Sequence, residues 1–265
     1  MWNLSCLVRF VTCIWNKVWD DFLIGMCHFK CSAEDYAVYY QTSSQNTPLW
    51  TLIWVDDVLW MGDPNDNKDA KRELGLWFPL KDLGTAHFFL GMKIARKLEE
   101  WKIILSLSQY IAFIRERFGF QNCYTLSTPM KPRAQLVLNP PTSDMKDKTL
   151  LHSILGSIMY LILCTRPDLA FTLGKLSKFS SNPSSIHMKA LKRLLRYICK
   201  TRDHSLHFWP FDLTSKNTPY MFSNADWAGD KDKRRSTGAY ICTIATCNPI
   251  DPIRQFPGPA SHKLQ

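Results

Sequence analysis

Asp56 and Asp57 interrupt an otherwise apolar run, with Leu52-Ile53-Trp54-Val55 before them and Val58-Leu59-Trp60-Met61 after. Two adjacent carboxylates in such a run must sit in an exposed turn or be neutralised, because like charges in a dry site do not both ionise cheaply. A divalent cation is the usual neutraliser. Mg²⁺ takes one or two carboxylates together with phosphate oxygens, so an acidic pair at a hairpin tip suits phosphoryl transfer. An ordinary acidic turn has the same spacing, and spacing alone leaves both readings open.

A second candidate lies on the helix predicted over residues 187–200. Met188, Leu191, Leu194, Leu195 and Ile198 form its apolar stripe, while Lys189, Lys192, Arg193, Arg196 and Lys200 fall on the other side, extended by Arg202. A basic helix face is an electrostatic footprint for phosphates, and equally the solvated side of a core-packed helix. Zinc is not what the remaining ligand types support: Cys27-His28 with Cys31 has no second ligand pair, Cys242 and Cys247 have no nearby His, and His204 and His207 share a short loop-like run.

The elements that must position these residues follow from periodicity and turn chemistry. Residues 16–27 carry Val18, Trp19, Phe22, Leu23 and Met26 at helical steps, with Asp20 and Asp21 on the wet side. Residues 36–40 and 49–61 are rich in β-branched and aromatic types and read as paired strands, stopped by Gly62-Asp63-Pro64-Asn65. A charged helix is predicted over residues 66–78, and a hairpin from residues 86–96 through Glu99-Glu100 into residues 102–107. Ser108 is placed to cap a helix that Gly119 ends. Residues 150–179 and 185–200 read as mostly helical, and residues 220–222 and 239–243 as short strands.

Length and composition bound the rest. At 265 residues with 46% hydrophobic and 21% charged residues, the chain has material for a real core, best divided into two domains. A net charge of +10 favours polyanionic partners, nucleic acid first. The 9 Cys lack framework spacing and read as reduced thiols of an intracellular, non-secreted protein of cytoplasm or nucleus. The uncharged stretch 149–165 contains His152, Ser153, Gly156 and Ser157 and reads as a buried helix rather than a membrane span.

Trp54-Val55-Asp56-Asp57 resembles the aromatic-x-Asp-Asp box of reverse transcriptases, and the surrounding chain resembles the copia-type retrotransposon polyprotein. The similarity runs through Trp15-Asn16, Asp20-Asp21-Phe22-Leu23, Leu80-Lys81-Asp82-Leu83-Gly84, Phe89-Leu90-Gly91-Met92-Lys93-Ile94, Ser108-Gln109-Tyr110-Ile111, Arg117-Phe118-Gly119 and Ser127-Thr128-Pro129-Met130. It continues in Leu155-Gly156-Ser157-Ile158-Met159-Tyr160, Thr165-Arg166-Pro167-Asp168-Leu169-Ala170, Ser177-Lys178-Phe179, Asn182-Pro183 with His187, and Leu191-Lys192-Arg193-Leu194-Leu195-Arg196-Tyr197. Ala225-Asp226-Trp227-Ala228-Gly229-Asp230 and Arg235-Ser236-Thr237-Gly238 resemble the opening of that family's ribonuclease H domain.

The resemblance implies an α+β fold: a partial reverse transcriptase palm sheet, a helical thumb or connection region, and an incomplete ribonuclease H-like β-sheet. The corresponding division is palm over residues 1–130, a Pro-rich linker over 131–148, the helical region over 149–209, the ribonuclease H-like start over 210–247 and an irregular tail over 248–265. It also implies an RNA-directed DNA polymerase lineage in which Asp56 and Asp57 are catalytic ligands of Mg²⁺ or Mn²⁺, with RNA/DNA template-primer and deoxynucleoside triphosphates as partners and no membrane.

Departures from the family pattern set further expectations. The family uses a third Asp from an earlier strand, and the residues ahead of Asp56 match the stretch next to the box, so that strand is expected to be missing. Asp20, Asp21, Glu34 and Asp35 are the substitutes at hand, and none occupies the expected place. Leu4 to Ile14 only faintly resembles the family's nucleotide-holding stretch, and Trp54 replaces a smaller aromatic. Ser223-Asn224-Ala225 stands where the family has Ser-Asp-Ala, so Asn224 is a degenerate ribonuclease H position that offers an amide oxygen and no charge. The expectation is a pseudoenzyme inactive alone, with a sequence-independent nucleic-acid-binding remnant as the alternative.

Overall fold

The computed structural model describes residues 17–42, 46–132, 134, 136–137, 148–208, 219–227, 236–244 and 247–248. The N-terminal stretch before residue 17, most of the Pro-rich segment 131–148, and the tail from 249 lie outside the described residues. The chain divides into two compact units, Met1–Ala86 and His87–Gln265. Helices and antiparallel sheets make the whole α+β.

In the first unit a four-stranded antiparallel sheet runs in the order β1 (Lys30–Cys31), β2 (Val38–Thr42), β3 (Pro48–Trp54), β4 (Asp57–Met61). The run predicted as one strand over 49–61 is therefore two strands folded back at Val55-Asp56, with Trp50 opposite Met61 and Trp54 opposite Asp57. Alternation sends Leu49, Thr51 and Ile53 of β3 inward, where they are buried, and leaves Trp50 and Trp54 exposed. The inner face meets helix α1, which runs through residues 17–23, and α2 (Pro64–Gly75). Trp19, Phe22, Leu23, Phe29, Tyr39, Leu49, Ile53 and Leu74 form this unit's core. Asp63 starts α2 by accepting the Asn65 N–H at 2.8 Å, ahead of Pro64, whose ring suits the first helical position.

The second unit holds a five-stranded sheet in the order β11-β8-β7-β6-β5. Its strands are β5 (Phe88–Phe89), β6 (Met92–Lys97), β7 (Lys102–Ser106), β8 (Leu206–Phe208) and β11 (Cys247–Asn248). The strand predicted over 86–96 is broken between Phe89 and Met92, where Leu90 and Gly91 turn with φ of 48° and 73°. The Tyr160 hydroxyl donates to the Leu90 carbonyl and closes that turn. β8 falls in the run read as a loop around His204 and His207; three residues are too short to show a strand period, and its place is fixed by pairing with β7.

Four helices build this unit's core: α3 (Ser108–Arg117), α4 (Lys148–Cys164), α5 (Ala170–Ser177) and α6 (Ser185–Lys200). Sixteen side chains from Leu107 to Ile198 pack together there, among them Ile111, Ile114, Ile158, Leu161, Leu173, Leu191 and Leu194. Leu107, buried in that cluster, rather than Ser108, is the residue before α3, and no side chain caps the helix. At its other end Gly119 turns with φ 71°, and Phe120 N–H donates to Arg115 O at 2.7 Å. Stretch 149–165 is core helix α4, and among the described residues no helix is long and apolar enough to cross a membrane. Strands β9 (Pro219–Ala225) and β10 (Gly238–Ile244) pair as a separate two-stranded sheet.

Candidate metal centre and basic face

The acidic pair sits at a hairpin tip. Trp54 and Asp57 are the last paired residues of β3 and β4, so Val55 and Asp56 form the two-residue connection. Val55 carries φ 56°, a left-handed conformation that two-residue hairpin turns demand and that β-branched residues rarely adopt. The indole N–H of Trp19, itself buried and stacked on Phe78, donates to the Val55 carbonyl at 3.2 Å. A core helix thus holds the turn that presents both carboxylates.

Asp56 and Asp57 are exposed, and no hydrogen bond or ion pair ties either carboxylate to another described residue. They offer hard oxygen donors of the kind Mg²⁺ accepts alongside phosphate. Among the described residues no group of three or more His, Cys, Asp or Glu side chains gathers in a way that would hold a metal ion. The substitutes named from the sequence are engaged elsewhere or lie open. Asp20 is half-buried, not on the wet side, and accepts the Tyr39 hydroxyl at 2.8 Å. Burial first, and that hydrogen bond second, hold the Tyr39 hydroxyl above its ordinary range. Asp21 is exposed, Glu34 accepts the Ser32 hydroxyl at 2.8 Å, and Asp35 accepts the Ala37 N–H at 2.9 Å.

The five cations of α6 separate into two groups. Lys189, Lys192 and Lys200 are exposed. Arg193 and Arg196 are half-buried under the segment that follows α3: Arg193 donates to Thr128 Oγ1 at 2.6 Å, and the Arg196 guanidinium lies 4.1 Å over the Tyr124 ring. The basic face is therefore narrower than the sequence pattern implies. The apolar stripe faces the core as its periodicity predicts, with Leu191, Leu194, Leu195 and Ile198 buried.

Asn224 lies in β9 opposite Ala239, exposed, and its amide oxygen accepts the neighbouring Ala225 N–H at 2.8 Å. Asp226, the nearest carboxylate, accepts the Thr237 N–H and stands 3.9 Å from Lys175 Nζ. Its charge is committed to the chain.

Sequence reasoning did not find the buried ionic cluster of the second unit. Arg166 is fully buried and donates to both Asp168 oxygens at 2.9 and 2.8 Å, and to Thr201 O and Oγ1 at 2.9 and 2.7 Å. The Tyr197 hydroxyl donates to Asp168 Oδ2 at 2.9 Å, and burial, then the Asp168 charge, push Tyr197 up to about 12. A fully buried guanidinium in a bidentate pair is a structural lock, not a solvent-facing site. The signal was present, because all but Thr201 belong to motifs shared with the resembled family.

A model of the family described as reverse transcriptase (RNA-dependent DNA polymerase) matches residues 7–132, which span the hairpin tip. The chain belongs to the reverse transcriptase family of copia-type retrotransposons. It is 35% identical over 237 residues to the retrovirus-related Pol polyprotein from transposon TNT 1-94 of Nicotiana tabacum, covering 87% of this chain and 18% of that polyprotein. The Pol polyprotein from transposon RE1 of Arabidopsis thaliana is 35% identical across 73% of this chain and 13% of its own length. An uncharacterized mitochondrial protein of Arabidopsis thaliana, AtMg00810, is 34% identical over 205 residues, which are 76% of this chain and 81% of that protein. The chain thus spans less than a fifth of the two polyproteins. No solved structure matches.

Proposed function

We propose that this chain carries the Asp-Asp part of a two-metal nucleotidyl-transfer site and that, alone, it does not polymerise. The observation that supports this is the hairpin tip itself: two exposed carboxylates held on a core-anchored turn, with neither an ion-pair partner nor a third acid beside them among the described residues. Asp56 and Asp57 would hold Mg²⁺ or Mn²⁺, which would supply positive charge to triphosphate oxygens and to a primer 3′-hydroxyl. Asp57, fixed in β4, sets one ligand direction, and Asp56, in the turn, adapts to the other. Two carboxylates attract a hard dication less strongly than three, so metal binding is weak and phosphate-assisted. In this reading the sheet of the first unit is a palm, the helices of the second unit are thumb and connection, and β9 with β10 is the start of a ribonuclease H-like sheet. Asn224 and the committed Asp226 leave that sheet without hydrolytic activity.

A second reading rests on a different observation, the exposed Lys189, Lys192 and Lys200 on one helix of a chain with net charge +10. It is a sequence-independent nucleic-acid-binding protein without catalysis. Nucleotide binding measured by fluorescence with and without Mg²⁺, beside duplex binding across a salt series, separates the two. Mg²⁺-dependent nucleotide binding lost in Asp57→Asn supports the metal site. Metal-independent, steeply salt-dependent duplex binding with no nucleotide binding supports the second reading and contradicts the first.

A further inference from the structure

Cross-strand pairing in the first unit puts Lys30, Tyr40, Trp50 and Met61 in one row across β1 to β4. Directly opposite residues of antiparallel strands share a face, and because Leu49, Thr51 and Ile53 point into the core, this row lies on the outer face. Lys30 is exposed there, with Trp50 40% and Met61 42% exposed. The Tyr40 and Trp50 rings stand 5.2 Å apart between centroids, inclined by 36°. Four residues further along β3, Trp54 is 56% exposed and sits opposite Asp57 on the same face.

We propose that this outer face is a stacking platform for single-stranded nucleic acid, with bases on Trp50 and Trp54, Tyr40 supporting Trp50, and Lys30 on the backbone phosphates. The chemistry of the row selects that occupant. Every base has a π-face, so exposed aromatics hold a strand without reading its sequence, and a cation beside them takes the phosphates. A chain of net charge +10 draws such a strand toward it. The size of the face argues the same way. With strands about 4.8 Å apart and residues about 3.3 Å apart, it measures roughly 15 Å on a side, on the order of 200 Å². A stable protein pair needs about 800 Å² from each partner, so this face alone holds neither a second copy nor a folded partner. Trp50 and Trp54 lie about 13 Å apart along β3, a span that a stacked strand at about 3.4 Å per nucleotide covers in roughly four nucleotides.

Asp57 closes the same face at the corner diagonal to Lys30. Its carboxylate repels phosphate when no metal is bound, so the backbone follows the Lys30 side while the bases lie over the tryptophans. That the end of the strand is carried to Asp57 rests on the metal reading of the doublet; the stacking does not.

The test is fluorescence anisotropy of the full chain with a labelled short oligothymidylate and with an abasic strand of equal length and charge, all in EDTA. Chelation keeps the outcome separate from the metal reading, which stands or fails on Mg²⁺-dependent nucleotide binding. The oligothymidylate is expected to bind about 5- to 100-fold more tightly than the abasic strand, and Trp50→Ala and Trp54→Ala each to lose most of that preference. Lys30→Ala should lower the salt slope by about 0.7. Trp227→Ala, which removes a 95% exposed indole from outside the platform, should leave both affinities unchanged. Should Trp50→Ala fail to fold by circular dichroism, Trp54→Ala and the abasic comparison on the unmodified chain give the same reading. Equal affinity for the two strands, a preference that survives in both tryptophan variants, or a dimer in sedimentation that Trp50→Ala dissociates, overturns the proposal.

Discussion

The Trp19 indole N–H reaches the Val55 carbonyl at 3.2 Å, joining a buried helix residue to the turn that presents Asp56 and Asp57. The left-handed Val55 costs of order 1–3 kcal/mol, and contacts of this kind are what keep such a conformation populated. Two substitutions separate these contributions. Trp19→Phe keeps an aromatic ring against Phe78 but loses the hydrogen bond, and is expected to destabilise the chain by about 1–2 kcal/mol. Val55→Gly removes the backbone strain and is expected to stabilise it by up to about 1 kcal/mol. Urea unfolding of both variants is the measurement, and a loss above about 1 kcal/mol in Val55→Gly contradicts the strain assignment.

In the second unit, Asp168 neutralises a guanidinium that has no solvent to fall back on. Asp168→Ala leaves Arg166 buried without its counter-charge, with Thr201 as its hydrogen-bond partner among the described residues and the Tyr197 ring 5.7 Å away, and should cost about 3 kcal/mol or more. Tyr197→Phe removes one hydrogen bond to the same carboxylate and should cost about 1 kcal/mol. Equal effects of the two substitutions in equilibrium unfolding would show that the ion pair is not the lock.

Acid stability follows from two histidines. His187, buried and stacked on Phe179 at 4.2 Å, is held below its ordinary value by burial, and His204 by burial and then the Arg166 charge. A folded-state value below the unfolded one means that the unfolded chain binds the proton more readily. This contribution to stability is therefore full above about pH 6.5, declines as pH falls through that value, and is exhausted below the folded-state values. Unfolding midpoints measured between pH 8 and pH 5 should fall on the acid side, and the fall should be shallower in His187→Asn/His204→Asn. An unchanged slope in the double variant would assign acid sensitivity to other groups.

The division of the α6 cations predicts two different phenotypes. Replacing Lys189, Lys192 and Lys200 together by Ala should leave stability nearly unchanged and lower the salt slope of nucleic-acid binding by about 0.7–0.9 per contact removed. Replacing Arg193 or Arg196 should lower stability instead, because Thr128 and Tyr124 lose their partners. Fluorescence anisotropy across a salt series, beside thermal unfolding, distinguishes the two groups.

Much of this architecture was legible in periodicity. The buried stripe of α6, the turn at Gly62-Asp63-Pro64-Asn65, and the gap between α5 and α6 around Asn182-Pro183 all emerge where spacing or turn chemistry acts locally, whereas the break at Pro167 inside the run read as helical over 150–179 does not. What escaped depends on distant pairing. Periodicity reads the run 49–61 as one strand because a two-residue turn leaves no polar gap beyond Asp56 and Asp57, and the doublet alone marks the hairpin tip. β8 needs β7 to exist, and Asp20 is drawn from the wet side by Tyr39, a residue on another element. For the site, residue types and family resemblance pointed to the doublet, yet neither indicated that Trp19 supports its turn or that two of five α6 cations are already occupied.

The family motifs outside the Asp-Asp box show the same limit. Tyr160 closes the Leu90-Gly91 turn, Phe179 stacks on His187, and Tyr197 completes the Arg166-Asp168 pair. Each partner stands out singly in the sequence; that they are contacts between motifs is visible only in three dimensions.

We propose above all that the exposed Asp56-Asp57 pair, with no third carboxylate beside it among the described residues, does not support nucleotidyl transfer by this chain. Primer extension on an RNA template with Mg²⁺ or Mn²⁺ and all four deoxynucleoside triphosphates tests it most directly. The predicted result is no extended product, for the chain as it stands and for Asp56→Ala alike. Extension by the unmodified chain that disappears in Asp56→Ala would contradict the account.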